Sequence, residues 1–349
     1  MNTEIVKINP QDIDMKTIER AGGIIKNGGL VAFPTETVYG LGGDATNAGA
    51  SQRIYQAKGR PSDNPLIVHI ADIESLEAIA AEVPREARLL AERFWPGPLT
   101  LILRKNDKIP YETTGGMDTV AVRMPADPVA RALIQASTGY IAAPSANTSG
   151  RPSPTEASHV KEDLWGRIDL ILDGGEACIG LESTIVDLTE DVPMILRPGY
   201  ITLETLQEVL GRVCLDPGLI AADSEEKPKA PGMKYRHYAP RADLKVVEGE
   251  SRAVVAEINR RTALLTADGA RVGILATDET KALYGKGTVI SIGARTDEKA
   301  IARHLYGSLR EFDALGMDVI FSEGFSDAGI GQAIMNRLLK AAGHQILEV

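Results

Sequence analysis

Short apolar runs alternate along the first two thirds of the chain with stretches in which apolar residues recur every three or four positions. The runs predict buried strands, and they are "GGLVAFP", "NPLIVHIAD", "PLTLILRK", "DTVAVRMP", "TGYIAAP", "IDLILDGG" and "STIVDLT". The intervening stretches predict helices, and they are "SQRIYQAK", "PREARLLAERFW", "DPVARALIQAS" and "ITLETLQEVLG". This alternation is typical of an α/β protein, so we predict a twisted mixed sheet with helices packed on it.

The pattern loosens after Gly211 and then resumes. The segment 212–241 is rich in proline and has little periodicity, which predicts a linker. From about residue 243, the runs "LKVVEG", "RVGILAT", "GTVISIG" and "DVIFSEG" alternate with helical stretches at 252–268, 297–316 and 331–342. We therefore predict a first domain at 1–211, a linker at 212–241 and a smaller Rossmann-like α/β domain at 242–349. No G-x-G-x-x-G follows its first strand, so dinucleotide binding is not indicated.

Composition narrows the class of protein. The 349 residues carry a net charge of -10, which argues against a protein that coats nucleic acid but allows a local basic pocket. Two cysteines and five scattered histidines lack the spacing of a zinc site. The N-terminus lacks signal-peptide features, and no apolar run reaches the roughly 18 residues of a membrane span. We expect a soluble, cytoplasmic protein with no membrane partner.

Candidate chemistry begins at "QAKGRPSDNP", where Lys58 and Arg60 flank a glycine at the end of a predicted helix. A lysine point charge beside an arginine fork suits a polyphosphate. The same two cations would also complement a helix dipole, and that reading stays open. No P-loop occurs in the chain, so a nucleotide site would have to be assembled from scattered side chains.

Further polar residues stand where predicted strands end. "FPTETVYGLGG" offers hydroxyls and a carboxylate before glycines that admit close approach of a ligand, although a plain turn would look similar. "APSAN" follows another buried strand and is equally compatible with a capping turn. Arg123 lies within an apolar strand, so it needs an anionic partner, for which a substrate carboxylate would serve. His69 could be a satisfied core histidine instead of a ligand contact.

The linker itself carries five cations and no acid between Lys227 and Arg241. An exposed basic tether is one interpretation. The other is a flap that folds over an anionic site and excludes water, with Tyr238 among its stacking residues.

These motifs together resemble a known family. "FPTETVYGLG", "KGRPSDNPL", "FWPGPLTLIL", "VRMP", "APSAN" and "LESTIVD…ILRPG" occur in the order of the YrdC-like family, across roughly residues 20–200. With its added C-terminal domain and the linker motif "PGMKYRHYAP", the chain resembles the long form of the L-threonylcarbamoyladenylate synthases. The resemblance implies a YrdC-like sheet with a Rossmann-like C-terminal domain.

The resemblance also implies an activity. Such a nucleotidyltransferase joins L-threonine, bicarbonate and ATP into threonylcarbamoyl-AMP and releases pyrophosphate, with Mg²⁺ accompanying ATP and held by no side chain. A separate transferase then passes the threonylcarbamoyl group to tRNA, to an adenosine next to the anticodon. Direct contact with tRNA is compatible with this activity but not required by it.

The resemblance assigns roles residue by residue. Its Lys-x-Arg and Ser-x-Asn signature falls on Lys58, Arg60, Ser145 and Asn147, and the first two are expected to be catalytic. The expected ATP-binding residues are Lys58, Arg60, Asn64, Thr119, Ser145, Asn147, Ser153, Arg197 and Tyr238. The expected L-threonine-binding residues are Thr35, Thr37, His69, Arg123, Ala143 and Ser183. No residue stands out as a general base, and His69 is the only candidate.

Two rival functions remain. A non-catalytic module for double-stranded RNA or the ribosome would use the same basic surface, and its affinity would fall steeply with salt. A carbamoyl transferase of the hydrogenase-maturation type would need zinc-finger and acylphosphatase-like segments, and the sequence contains neither.

Overall fold

The computed structural model describes residues 2–219 and 237–349, and these form two compact units. Among the described residues, the first unit contains those up to 219 except two short segments, Gly150–Pro152 and Ile179–Leu181, which group with residues 237–349 in the second unit. The predicted boundaries at 211 and 241 stay a prediction. So does the flap, because residues 220–236 lie outside the described residues.

The first unit is built on an eleven-stranded mixed sheet in the order β1-β8-β2-β3-β7-β4-β6-β5-β9-β10-β11. Its strands are β1 (Glu4–Lys7), β2 (Val31–Phe33), β3 (Gly40–Asp44), β4 (Ile67–His69), β5 (Leu99–Arg104), β6 (Thr119–Arg123), β7 (Ile141–Ala143), β8 (Leu170–Asp173), β9 (Thr184–Asp187), β10 (Met194–Arg197) and β11 (Cys214–Leu215). Its helices are α1 (Met15–Lys26), α2 (Ala48–Lys58), α3 (Glu74–Glu77), α4 (Arg85–Phe94), α5 (Pro128–Ala136), α6 (Ala157–Leu164) and α7 (Leu203–Leu210). All seven predicted strands and all four predicted helices of this region are confirmed.

The central strands divide their side chains between two faces. On one face, residues such as Val68, Leu101 and Val122 enter the large hydrophobic core. On the other face a small apolar cluster forms from Ile67, Ile102, Ala121, Ile185 and Leu196. Side chains two residues further along a strand share its face, so Arg123 and His69 continue the small cluster. A polar site at the end of this second face therefore rests on an apolar floor.

The glycine-rich stretch after the "PTET" motif is a strand and not only a turn. β3 runs antiparallel to both β2 and β7, inside the sheet. A Cβ atom on Gly42 would lie 2.7 Å from Cγ2 of Ile141 and 2.8 Å from Phe33, so only glycine fits there without displacing its neighbours. The pattern missed this strand because glycine has no apolar side chain to reveal it.

The second unit carries a five-stranded sheet in the order β14-β13-β15-β12-β16, with every neighbouring pair parallel. Its strands are β12 (Asp243–Glu248), β13 (Val272–Ala276), β14 (Thr288–Ser291), β15 (Val319–Glu323) and β16 (Ile346–Glu348). Its helices are α8 (Ser251–Ala267), α9 (Glu298–Leu315) and α10 (Gly329–Ala341). The predicted fold class, a large mixed α/β sheet with a smaller Rossmann-like unit, is confirmed. The edge strand β16 and the two-residue β11, which lies within the predicted linker, were not predicted. Nor were β1, β3, β10, α1, α3 and α6 of the first unit.

The described helices include no candidate for a membrane span. In the ranges 2–219 and 237–349, none combines sufficient length with sufficient apolar character to cross a bilayer.

Candidate active site

Lys58 is the last residue of α2, and the end of that helix determines its position. Asn47 caps the N-terminus of α2, and Gly59 follows the helix with φ of 61°, a left-handed conformation that favours glycine. The Lys58 side chain is buried. Its Nζ donates to the carbonyl oxygen of Ser145 at 2.5 Å and to that of Asn147. The C-terminus of α2 is thereby joined to the loop after β7.

Ser145 and Asn147 are ordered by the same loop. The Ser145 hydroxyl donates to Oδ1 of Asn147 at 2.5 Å, and Nδ2 of Asn147 donates to the Thr148 carbonyl at 2.8 Å. The backbone of this loop also meets the glycine-rich stretch, because Ala146 N donates to the Tyr39 carbonyl at 2.8 Å. The structure therefore brings the Lys-x-Arg lysine and the Ser-x-Asn pair into direct contact.

Arg60 and Asn64 belong to the turn that leads into β4. Nε of Arg60 donates to the Asn64 carbonyl at 3.3 Å, and one terminal nitrogen donates to the Pro65 carbonyl at 3.1 Å. Asn64 is fully buried, and among the described residues neither Oδ1 nor Nδ2 of its side chain has a hydrogen-bond partner. Two unsatisfied buried atoms on one amide are costly unless a ligand completes them.

Thr119 begins β6, and it is far from Arg123 at the other end of that strand. Four residues of strand span roughly 13 Å. Thr119 therefore lies at the opposite end of β6 from Arg123, apart from the residues expected to bind threonine.

Arg123 forms a buried ion pair with a residue that the sequence analysis did not assign to the site. One terminal nitrogen of Arg123 lies 2.7 Å from Oε1 of Glu36, and both side chains are at least nine-tenths buried. The second carboxylate oxygen of Glu36 accepts a hydrogen bond from Ala126 N at 3.0 Å. The anion that a buried arginine requires is therefore supplied by the protein. Nε of Arg123 has no partner among the described residues.

Thr35 and Thr37 flank Glu36 in the turn between β2 and β3. Their hydroxyl oxygens are 2.8 Å apart, and the Thr35 hydroxyl donates to the Val38 carbonyl at 2.6 Å. Both threonines are buried. Because Glu36 pairs with Arg123, this hydroxyl-lined turn is held against the end of β6.

His69 lies next to Arg123 in the sheet, since the two residues are paired in β4 and β6. Its Nδ1 is 3.1 Å from the Ile67 carbonyl, and its ring meets Phe33 edge-on at 6.1 Å. Burial, together with the nearby charge of Arg123, lowers the pKa of His69 from 6.5 to about 3. His69 is therefore neutral near pH 7, and it is a weak proton acceptor.

Ser183 stands directly before β9 and connects two further candidates. Its hydroxyl is 2.7 Å from that of Thr100, which is paired with Arg123 across β5 and β6. Arg197 donates to the Ser183 carbonyl and hydroxyl, each at 3.1 Å. The structure therefore places Ser183 between the arginine expected for ATP and the strand position of the arginine expected for threonine.

Ser153 forms a hydrogen bond with Glu182, in the segment directly before β9. Its hydroxyl donates to Oε1 of Glu182 at 2.5 Å, and both side chains are buried.

Ala143 is the smallest of the residues expected to bind L-threonine. It pairs with Ile67 in the sheet, and a Cβ on Gly40 would lie 3.5 Å from the Cβ of Ala143. A side chain larger than alanine would close this part of the face.

Tyr238 belongs to the second unit. Its backbone has φ of 64°, and its ring centroid lies 5.3 Å from that of Tyr306. Cζ of Arg337 lies 5.9 Å from the Tyr238 ring. Its expected contact with ATP stays a prediction.

The missed residues share one signal. Glu36, Glu182 and Thr100 each hydrogen-bond a residue that was assigned to the site. The two acids stand beside such residues in the sequence, in "TET" and "LES", and a buried carboxylate next to a basic strand end could have been assigned from that position. No group of three or more His, Cys, Asp or Glu that could hold a metal occurs within residues 2–219 and 237–349.

Comparison with known proteins gives the family. Residues 23–199 match the Sua5/YciO/YrdC family model, described as "Telomere recombination", and residues 201–343 match "Threonylcarbamoyl-AMP synthase, C-terminal domain". The chain is 51% identical over 332 residues to threonylcarbamoyl-AMP synthase of Pyrococcus abyssi, covering 95% of this chain and 96% of that protein. It is 50% identical over 331 residues to the Bacillus subtilis enzyme, covering 95% and 94%.

A solved structure agrees over the whole length. The crystal structure of P. abyssi Sua5 complexed with L-threonine is similar with a TM-score of 0.94 and 49% identity, covering 99% of each chain. E. coli YciO, at 26% identity and a TM-score of 0.51, covers 56% of this chain and 95% of its own. The matches span both units, including the second one. The chain belongs to the threonylcarbamoyl-AMP synthase family, as its motifs predict.

Proposed function

We propose that this protein makes threonylcarbamoyl-AMP from L-threonine, bicarbonate and ATP and releases pyrophosphate. Family membership and the relative solved with L-threonine support the reaction and one of its substrates. The single observation that carries the proposal is the fully buried Asn64, whose side-chain amide has neither donor nor acceptor partner among the described residues while Arg60 is anchored to its backbone. A polar ligand would satisfy both atoms.

The chemistry needs two anions to meet. The amine of threonine attacks carbon dioxide and loses a proton, or attacks bicarbonate with loss of water, and either route gives a carbamate. A carbamate oxygen then attacks the α-phosphate of ATP. The bond from the α-phosphorus to the bridging oxygen breaks, and pyrophosphate leaves with that electron pair. Coulomb repulsion between carbamate and triphosphate opposes this encounter strongly in a site from which water is excluded. Cationic groups around the phosphates are therefore the main requirement.

We assign that role to Lys58, Arg60 and Arg197. Each guanidinium or ammonium is anchored by backbone carbonyls, of Ser145 and Asn147 for Lys58, of Asn64 and Pro65 for Arg60, and of Ser183 for Arg197. Anchored cations need no rearrangement while charge builds on the leaving group, which makes their stabilisation of the transition state effective. Asn64, Thr119, Ser145, Asn147, Ser153 and Tyr238 would contact the nucleotide.

Threonine would bind where Arg123 and the "PTET" turn meet. The Arg123 guanidinium uses one terminal nitrogen for Glu36, and a substrate carboxylate would accept hydrogen bonds from the remaining donors. Thr35, Thr37, His69 and Ser183 would contact the hydroxyl and amine, while Ala143 leaves room for the side chain. Bringing the carbamate oxygen into line with the α-phosphate can lower the barrier by about 7–11 kcal/mol.

Mg²⁺ would enter with ATP. The carboxylates near the candidate residues are committed to protein partners, Glu36 to Arg123 and Glu182 to Ser153. The hydroxyl and amide groups around Lys58 suit a metal held mainly by phosphates and water. Bound in that way, Mg²⁺ would neutralise charge on the phosphates.

The product would serve a downstream transferase that modifies tRNA next to the anticodon. This step requires no RNA site on the chain itself, and a cytoplasmic location would suit it. The transferase and the location are parts of the proposal.

The test is pyrophosphate release from ATP and Mg²⁺ by the purified protein, with and without L-threonine and bicarbonate. We expect release only when both are present and a loss of at least a hundredfold in Lys58→Ala and Arg60→Ala, on the scale of removing a transition-state charge partner (about 2.7–4 kcal/mol). Arg88→Ala, which removes an exposed cation of α4, is the matched control and should keep full activity. No release by the folded protein would refute the enzyme proposal, and salt-sensitive binding of double-stranded RNA would then favour the RNA-binding alternative.

A further inference from the structure

The second unit contains a crevice of about 540 Å³ that the proposed reaction does not use. The crevice lies at the carboxyl ends of β12 and β15, which are neighbours in the parallel sheet. Its volume is within the range of small-molecule sites. We propose that it binds a small organic amine, with the ammonium group held by carboxylates and an aliphatic body against an apolar wall.

The position in the sheet is the first argument. The chain leaving β12 returns in β13, beyond β15, whereas the chain leaving β15 returns in β16, beyond β12. The two connections therefore run in opposite directions from adjacent strands. Open α/β sheets bind ligands at such a switch point, outside the carboxyl ends of the strands.

The charged side chains that line the crevice indicate the chemical class of its ligand. Three carboxylates line the crevice, those of Glu248, Glu323 and Asp327, against one cation, Arg295. Arg295 is committed to Glu323, with which it forms an ion pair, and to the Gly324 carbonyl at 2.9 Å. The remaining negative charge of Glu248 and Asp327 disfavours phosphates and carboxylates and favours an ammonium group.

The floor of the crevice is held in place by a hydrogen-bond network. Glu323 is buried, and it accepts hydrogen bonds from the Tyr284 hydroxyl at 2.7 Å and from Thr280. A Cβ on Gly324 would lie 2.9 Å from Cγ of Glu248, so the absence of that atom leaves room for the Glu248 side chain across β15. The two carboxylates therefore lie on adjacent strand ends without competing for space.

The apolar wall is formed by α10 and β16. Met335 and Leu339 of α10 line the crevice together with Ile346, whose side chain is 40% exposed. An exposed isoleucine beside two carboxylates suits a ligand with one apolar and one charged end. An aliphatic amine combines both, and its pKa near that of lysine keeps it charged at pH 7.

The test uses three probes with one body, pentylamine, pentan-1-ol and pentanoate, at pH 7. Binding to the full chain is followed by NMR of methyl-labelled Met335 and Ile346, and pyrophosphate release is measured in parallel. We expect pentylamine to shift both methyl signals and to bind about tenfold more tightly than pentan-1-ol, with no detectable binding of pentanoate. Cationic residues dominate the active site, so the amine should leave pyrophosphate release unchanged, and the two proposals can fail separately.

Isosteric variants locate the charge. Exposed ion pairs contribute up to about 1 kcal/mol each, or about fivefold in affinity, so Glu248→Gln should weaken pentylamine binding by up to about fivefold and the double variant with Asp327→Asn further. Glu311→Gln on α9, an exposed acid outside the crevice, should bind like the wild type. Equal affinity for amine and alcohol, unchanged amine binding in the double variant, or unshifted methyl signals would each overturn the proposal.

Discussion

Replacing Asn64 with leucine should stabilise the ligand-free protein and impair its use of ATP. The two side chains are similar in size and branch at the same carbon, so the change mainly replaces polar atoms with apolar ones. Asn64 has no exposed surface, and neither side-chain polar atom has a hydrogen-bond partner among the described residues. The wild-type protein therefore carries the desolvation cost of the amide without compensation until a ligand binds.

The expected change in the free energy of unfolding follows from the two unsatisfied side-chain atoms. An unsatisfied buried donor or acceptor costs about 1–3 kcal/mol, and leucine removes both atoms. After allowing for imperfect fit of the new methyl groups, we expect the free energy of unfolding without ligand to rise by about 2 kcal/mol. The same substitution removes two hydrogen bonds to ATP of about 0.5–1.5 kcal/mol each, so the KM for ATP should rise by about fivefold or more.

The assay combines urea unfolding with steady-state pyrophosphate release. Asn106→Leu is the matched control, because Nδ2 of Asn106 donates to the Ala78 and Ala80 carbonyls at 3.0 and 3.3 Å. That variant should lose stability and keep its KM for ATP. If Asn64→Leu instead destabilises the protein and leaves the KM for ATP unchanged, Asn64 is a structural residue and the reasoning from its unsatisfied amide is refuted.

Three further results are expected. Arg123→Lys should raise the KM for L-threonine by about tenfold or more and leave that for ATP unchanged, because lysine cannot offer a fork to a carboxylate, and an equal rise in both KM values would contradict the assignment. Glu36→Gln should lower the free energy of unfolding by about 3 kcal/mol, since it leaves a buried guanidinium without its counter-charge, and a change within experimental error would show that the ion pair contributes nothing. Folding lowers the pKa of His69 to about 3. Below pH 6.5 the unfolded chain therefore binds a proton on His69 that the folded protein does not bind, and the free energy of unfolding decreases as the pH is lowered. Between pH 7.5 and pH 5 the wild type should lose about 2 kcal/mol more than His69→Gln, and parallel stability curves would count against the lowered pKa.

The sequence pattern predicted strands and helices that contain clear runs or repeats of apolar residues. The seven predicted strands of the first unit and the four of the second unit are present, because each contains a short run of apolar residues that predicts a strand. β3 was not predicted, because it consists largely of glycines and its packing depends on their lack of a Cβ atom. β16 was not predicted, because it is a short edge strand whose isoleucine, Ile346, is exposed. The order of strands in the sheet depends on long-range pairing, which periodicity does not encode.

The candidate site was predicted as a set of residues but not as a set of contacts. Lys58 was expected to face phosphates, and the structure adds that the carbonyls of Ser145 and Asn147 hold it. Arg123 was expected to need an anion, and that anion is Glu36, which lies 87 residues away in the chain. The sequence shows which residues are charged, but which of them form hydrogen bonds and ion pairs with distant residues depends on how the strands pair. Hence Glu36, which pairs with Arg123, and Glu182, which binds Ser153, were not assigned to the site.

The central claim is that this chain forms an adenylate from three substrates. The most direct test is mass spectrometry of the reaction of the purified protein with ATP, Mg²⁺, L-threonine and ¹³C-labelled bicarbonate. We predict an adduct with the mass of threonylcarbamoyl-AMP that carries the label, and its absence in Lys58→Ala. Production of AMP and pyrophosphate without a labelled adduct, or an adduct that lacks the label, would contradict the account.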